Sequence, residues 1–154
     1  MLSETEKIEI EKEMELFPFR SAVCIDALKI VQKHRGWISD DAIRDIASHL
    51  RMTEDEVDAV STFYTRIYRK PVGRNVILVC EGISCMILGY QALYKHLSEK
   101  LGIGFGETTR DERFTLLPVS CLGDCDHAPV LMINNDTYNN ITPAKLDLIL
   151  DKYK

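Results

Sequence analysis

Four of the five cysteines in this 154-residue chain stand in two close pairs, Cys80 with Cys85 and Cys121 with Cys125. Four residues intervene in the first pair and three in the second. Thiolates at such spacings hold metal or do redox chemistry when the compartment is reducing, where structural disulfides are rare. Zinc in a Cys₄ site favours pairs with two residues between, which neither pair has. A thioredoxin-type catalyst needs Cys-x-x-Cys, and none is present. A [2Fe–2S] cluster needs four thiolates, two on each iron, and two loops with two cysteines each meet that need if they lie side by side. Ligand count alone leaves a [4Fe–4S] cluster open, although the clustered run of bacterial ferredoxins is missing. Cys24 sits among Val23, Ile25 and Leu28 and reads as a small buried hydrophobe.

These residues must be positioned by two different kinds of structure. Up to about residue 70 the pattern is helical. Ser3 with Glu6, and Thr53 with Glu56, have the form of capping boxes, and Ser39 or Asp40 can cap a further helix. Apolar stripes run through Ile8, Met14 and Leu16, broken by Pro18; through Val23, Ala27, Leu28, Ile30 and Val31 within a helix from Ser21 to His34; through Ala42, Ile43, Ile46, Ala47 and Leu50; and through Val57 and Val60. This predicts a small bundle over residues 1–72. At Pro71-Val72-Gly73 the periodicity changes. Residues 73–154 read as strand (Val76–Val79), helix (Gly89–Leu101), strand (Phe114–Val119), strand (Pro129–Ile133), strand (Tyr138–Ile141) and a last helix opened by Thr142-Pro143. Asn134-Asn135-Asp136 is the expected hairpin turn. Cys80 then ends the first strand, Cys85 lies on a loop, and Cys121 and Cys125 occupy the connection between the second and third strands.

Composition excludes some classes of function. A net charge of −5 argues against nucleic-acid binding. No apolar run approaches the roughly 18 residues of a membrane span. Met1 to Glu15 has no apolar h-region, so it reads as no signal peptide and the expected location is cytoplasmic. There is no Gly-x-Gly-x-x-Gly between strand and helix, since Gly102, Gly104 and Gly106 follow a helix. His34, His49, His96 and His127 read as non-ligands. Glu81, Asp124 and Asp126 beside the cysteines read as solvated loop charge; the sharper reading is that they disfavour an added electron. Gly82 and Gly123 would let loop backbone approach a bound group. Met86 and Ile87 either cover that group or pack in the core. For Phe63, Tyr64, Tyr68 and Trp37 a core position is favoured over a partner face.

The run Cys80-Glu-Gly-Ile-Ser-Cys85, Gly89-Tyr90, Arg113-Phe114-Thr115-Leu116, Cys121-Leu-Gly-Asp-Cys125 and Ala128-Pro129 resembles the thioredoxin-like [2Fe–2S] ferredoxin component of bacterial NADH:quinone oxidoreductase (complex I). Leu28 to Lys33 with Gly36-Trp37, and Ser61-Thr62-Phe63-Tyr64, resemble the helical part of the same family. The resemblance covers nearly the whole chain. It implies an α/β fold: an N-terminal helical bundle followed by a thioredoxin-like domain. It also implies one [2Fe–2S] cluster held by Cys80, Cys85, Cys121 and Cys125, electron transfer within a quinone-reducing translocase, and no independent substrate site on this chain. The implied partners are the flavin-bearing, NADH-binding subunit, on which FMN and NADH sit, and other peripheral-arm subunits. The chain would then lie on the cytoplasmic side of the inner membrane, held there through the complex.

Overall fold

A computed structural model describes residues 1–153. The chain divides into two compact units, Met1–Pro71 and Val72–Lys154.

The first unit holds four helices, α1 (Glu4–Met14), α2 (Cys24–Arg35), α3 (Asp40–Leu50) and α4 (Glu54–Phe63). Their starts follow local chemistry. Ser3 and Thr53 close capping boxes with Glu6 and Glu56, and the Ser39 hydroxyl accepts the Ala42 N–H. The helix expected from Ser21 starts as a 3₁₀ turn, Arg20–Val23, and becomes α-helical only at Cys24. Ile10, Leu28, Ile38, Ile46 and Leu50 are fully buried, and Cys24 is buried as expected, with burial pushing its thiol up to about 11.

Two expectations for this unit are corrected. Of the stripe expected through Ile8, Met14 and Leu16, Met14 packs against the core, while Ile8 on α1 and Leu16 just beyond it face solvent; Leu2, Glu6 and Ile10, four residues apart, point inward instead. The buried face therefore includes a carboxylate. Phe63 and Tyr64 are exposed and touch edge-on at 5.2 Å, and Trp37 and Tyr68 are half-buried. The inner face of α4 is set by Val57 and Ser61, and Phe63 falls on the other side of that helix.

Glu6 is accepted inside because Arg35 meets it with two prongs, Nε to Oε1 at 2.7 Å and Nη2 to Oε2 at 2.8 Å. That hydrogen bonding lowers the Glu6 pKa from 4.5 to about 2, against the opposing effect of burial.

In the second unit, β1 (Asn75–Cys80) pairs with β2 (Phe114–Val119) in parallel and with β3 (Leu131–Ile133) antiparallel, and β4 (Asp136–Tyr138) hairpins onto β3. The sheet order is β2-β1-β3-β4. Between β1 and β2 the chain forms a short helix α5 (Ile83–Ile87) and then α6 (Tyr90–Leu101); α7 (Pro143–Leu150) closes the unit. α5 was not expected, so Cys85 sits on a helix rather than a loop. β3 begins at Leu131 instead of Pro129. β4 begins at Asp136, because Asn134-Asn135 alone makes the turn, with Asn134 left-handed at φ 55° and Ile133 paired directly with Asp136. Ile77, Phe114, Leu116, Leu131 and Leu146 are fully buried at its centre. Asp147 on α7 accepts from Lys100 at 2.7 Å and pairs with His96 at 2.9 Å, fixing α7 against α6.

Because the Glu6 pKa is depressed, the pairing stabilises the fold above the unfolded value near 4.5, and this stabilisation is lost as pH falls from there through about 2. The shift corresponds to on the order of 3 kcal/mol. Arg35→Met should cost about that much at pH 7 by leaving a buried charge unpaired. In denaturant titrations followed by Trp37 fluorescence, the gap to wild type should shrink toward pH 2. An equal gap at both pH values would assign the loss to packing.

Candidate iron–sulfur site

Cys80 is the last residue of β1 and pairs in register with Val119, the last residue of β2. Adjacent parallel strands end at one edge, so the segments that follow them leave the sheet side by side. The first segment carries Glu81, Gly82 and then α5 with Cys85. The second carries Cys121, two residues past β2, and Cys125, which opens a 3₁₀ turn, Cys125–His127. All four are free cysteines; Cys80 and Cys85 are buried, Cys121 and Cys125 exposed.

The sulfurs converge. Cys121 Sγ lies 3.7 Å from Cys125 Sγ. A β-carbon placed on Gly82 would stand 3.4 Å from Cys80 Sγ and 3.8 Å from Cys121 Sγ, so one thiol from each pair flanks that glycine. Burial, and then the neighbouring Cys80 thiol, push Cys85 up to about 11, while the Val130 N–H pulls the other way. The Gly123 N–H, 3.3 Å from Cys121 Sγ, lowers the Cys121 pKa. Cys125 is raised by Cys121 beside it. The Cys85 and Cys125 thiols, each raised by a neighbouring cysteine, would ionise beside a strongly positive core, which favours the thiolate. The backbone N–H groups already aimed at two of the sulfurs are the donors that tune such a core. Among the described residues no three or more His, Cys, Asp or Glu side chains are grouped to hold a single metal ion. A two-iron core spreads its thiolates over two centres, and the residues here fit it.

Gly82 is crowded by the protein itself, since a β-carbon there would also meet the Ser120 carbonyl at 3.3 Å. Gly123 serves a different purpose. Nothing lies near its missing β-carbon, and its φ of 81° is the left-handed conformation that turns its N–H toward Cys121. The acidic residues are not uniformly solvated. Asp124 accepts from Asn139 at 2.9 Å and pairs with His127 at 2.6 Å, which lowers its own pKa and raises that of His127. Glu81 is half-buried and accepts the Tyr90 hydroxyl, and Asp126 is exposed. Met86 and Ile87 neither pack in the core of the unit nor are covered, since both are exposed with Ile83 and Leu88 on and beside α5. His34, in the first unit, pairs with Glu9, and His96 pairs with Asp147. The peptide bond between Ala128 and Pro129 is cis. The Tyr90, Val130 and Asn139 contacts have no signal in the linear sequence, because each joins residues from different elements.

A helical unit followed by an α/β unit with four thiols at one sheet edge defines a class of iron–sulfur protein, and the chain belongs to the thioredoxin-like [2Fe–2S] ferredoxin family, whose model matches residues 10–154. Within that class it is 48% identical over 153 residues to the E subunit of the NADH-quinone oxidoreductase of Escherichia coli K12, covering 99% of this chain and 92% of that protein. The protein of the same name in Buchnera aphidicola of Acyrthosiphon pisum is 49% identical over 145 residues, 94% of this chain and 90% of that one. A chain of the NAD⁺-reducing [NiFe]-hydrogenase in its H₂-reduced state superposes with a TM-score of 0.72 at 24% identity, over 85% of this chain and 22% of that one, a likeness of fold.

Gly82→Ala should push the Ser120 carbonyl, just ahead of Cys121, back by a few tenths of an ångström, while its β-carbon meets the Cys80 and Cys121 sulfurs at ordinary contact distance. Iron and labile-sulfide content per chain should fall at least about twofold, as a misplaced ligand shell loosens metal binding. Unchanged content would mean that the segment has slack. Gly123→Ala acts through backbone strain of about 1–2 kcal/mol instead.

Proposed function

We propose that this chain is the electron-transfer subunit of an NADH:quinone oxidoreductase, holding one [2Fe–2S] cluster through Cys80, Cys85, Cys121 and Cys125. The observation that carries the reading is the convergence of two cysteine pairs at the shared end of β1 and β2. Near-full-length similarity to proteins named as components of that complex supports the assignment. When bound, the cluster accepts and releases single electrons. The protein's part is to hold four thiolates rigidly, to aim the Gly123 and Val130 N–H groups at the sulfurs, and to bury one pair while leaving the other at the surface. Surface exposure of Cys121 and Cys125 gives a redox partner close access. The partner in this reading is the flavin-bearing subunit, which binds FMN and NADH, with other peripheral-arm subunits on the cytoplasmic side of the membrane. No helix among the described residues is long and apolar enough to cross a membrane, and the chain would reach the membrane only through the complex.

The purified full chain should be brown, bleach with dithionite, and contain about two irons and two labile sulfides, the content of one such cluster. Alanine at any of Cys80, Cys85, Cys121 or Cys125 should abolish the electron paramagnetic resonance signal of the reduced protein, and Cys24→Ala should keep it. A colourless chain holding zinc would overturn the reading. For the partner, affinity capture of the tagged chain from its native cells should recover FMN and an NADH-dependent quinone reductase. Recovery of a soluble hydrogenase or formate dehydrogenase would keep the cluster and reassign the complex.

A further inference from the structure

Tyr90 begins α6 and is buried, 9% exposed. Its hydroxyl donates to Glu81 Oε1 at 2.5 Å. Glu81 follows Cys80 directly, and its backbone N–H donates to the Val119 carbonyl at 2.8 Å. The main chain of Glu81 is thus fixed by the sheet and its carboxylate by α6. The phenol itself is held in a column of rings. It lies parallel to Tyr94 at 6.2 Å, and Tyr94 stacks on Phe105 at 4.3 Å. Burial, with Glu81 beside it, raises the Tyr90 pKa, so the hydroxyl stays protonated and remains the donor.

A carboxylate held in this corner opposes an electron added nearby much more than one free in water. The interaction of two charges weakens about fourfold between an effective dielectric of roughly 20 and that of bulk water, about 80. The hydrogen bond from a neutral phenol leaves the carboxylate's full charge in place beside Cys80. We infer that Tyr90 is a positioning residue for redox tuning: by clamping Glu81 beside Cys80 it holds a negative charge against the cluster and keeps the reduction potential low. This rests on Cys80 being a cluster ligand.

The test is a redox titration of the cluster-loaded full chain, followed by electron paramagnetic resonance. Tyr90→Phe should release the carboxylate and raise the midpoint potential. Glu81→Gln should also raise it, and the double variant should go no higher than Glu81→Gln alone, because both act through one charge. Glu81→Asp, which keeps the charge but withdraws it from the hydroxyl, should raise the potential as Tyr90→Phe does, and it stands in if Tyr90→Phe fails to load. A midpoint unchanged or lowered in Tyr90→Phe, or unchanged in Glu81→Asp, overturns the inference. So does a Tyr90→Phe shift of equal size in the Glu81→Gln background, which would mean that the ring acts by packing. Failure of the ligand assignment is separate: the signal would then be absent from wild type or survive Cys80→Ala.

Discussion

The parallel pairing of β1 with β2, in register from Asn75 opposite Phe114 to Cys80 opposite Val119, is the constraint on which the site depends. Strand register is strict where a face is buried, since a one-residue slip turns every side chain over. Here Val76 to Cys80 are all buried, and Phe114 and Leu116 are fully enclosed on β2. The opposite end of the pair is fixed as well. Gly73 donates its N–H to the Thr115 hydroxyl at 2.7 Å, and a β-carbon on Gly73 would stand 2.8 Å from the Glu112 carbonyl. With that register held, the two cysteine segments start level with each other.

The segment after β2 has almost no regular structure, so its shape is held from outside. Asn139 reaches Asp124, the Asn140 N–H donates to the His127 carbonyl at 2.7 Å, and the Ile141 N–H donates to the Pro129 carbonyl at 3.2 Å. Lys145 on α7 donates to the Asn139 carbonyl, joining that strap to the last helix. A ligand shell loses affinity when its supports loosen. The β4–α7 connection therefore matters to Cys121 and Cys125 although it contributes no sulfur.

The helical unit uses charged side chains in the same way. Arg69 donates to the Ile38 carbonyl, Asp58 and Asp40. Gln32 donates to the Arg66 carbonyl and accepts the Tyr68 N–H. The stretch after α4, without regular structure of its own, is thereby tied to α2, α3 and α4. Three of these contacts go to backbone groups, the Ile38 and Arg66 carbonyls and the Tyr68 N–H.

What the sequence determined by itself was local. The capping boxes of Ser3 and Thr53, the stripe of α3 and the start of α7 at Thr142-Pro143 each depend on residues three or four apart, a spacing the linear order preserves. The two cysteine pairs were visible for the same reason. Tertiary structure decided what depends on distant partners: that α1 turns Glu6 inward because Arg35 is there to receive it, that Phe63 and Tyr64 face solvent, and that Cys85 rides on α5. The clamp of Tyr90 on Glu81 and the strap through Asn139 likewise join side chains from separate elements. Their partners are chosen by packing, and packing has no period along the chain.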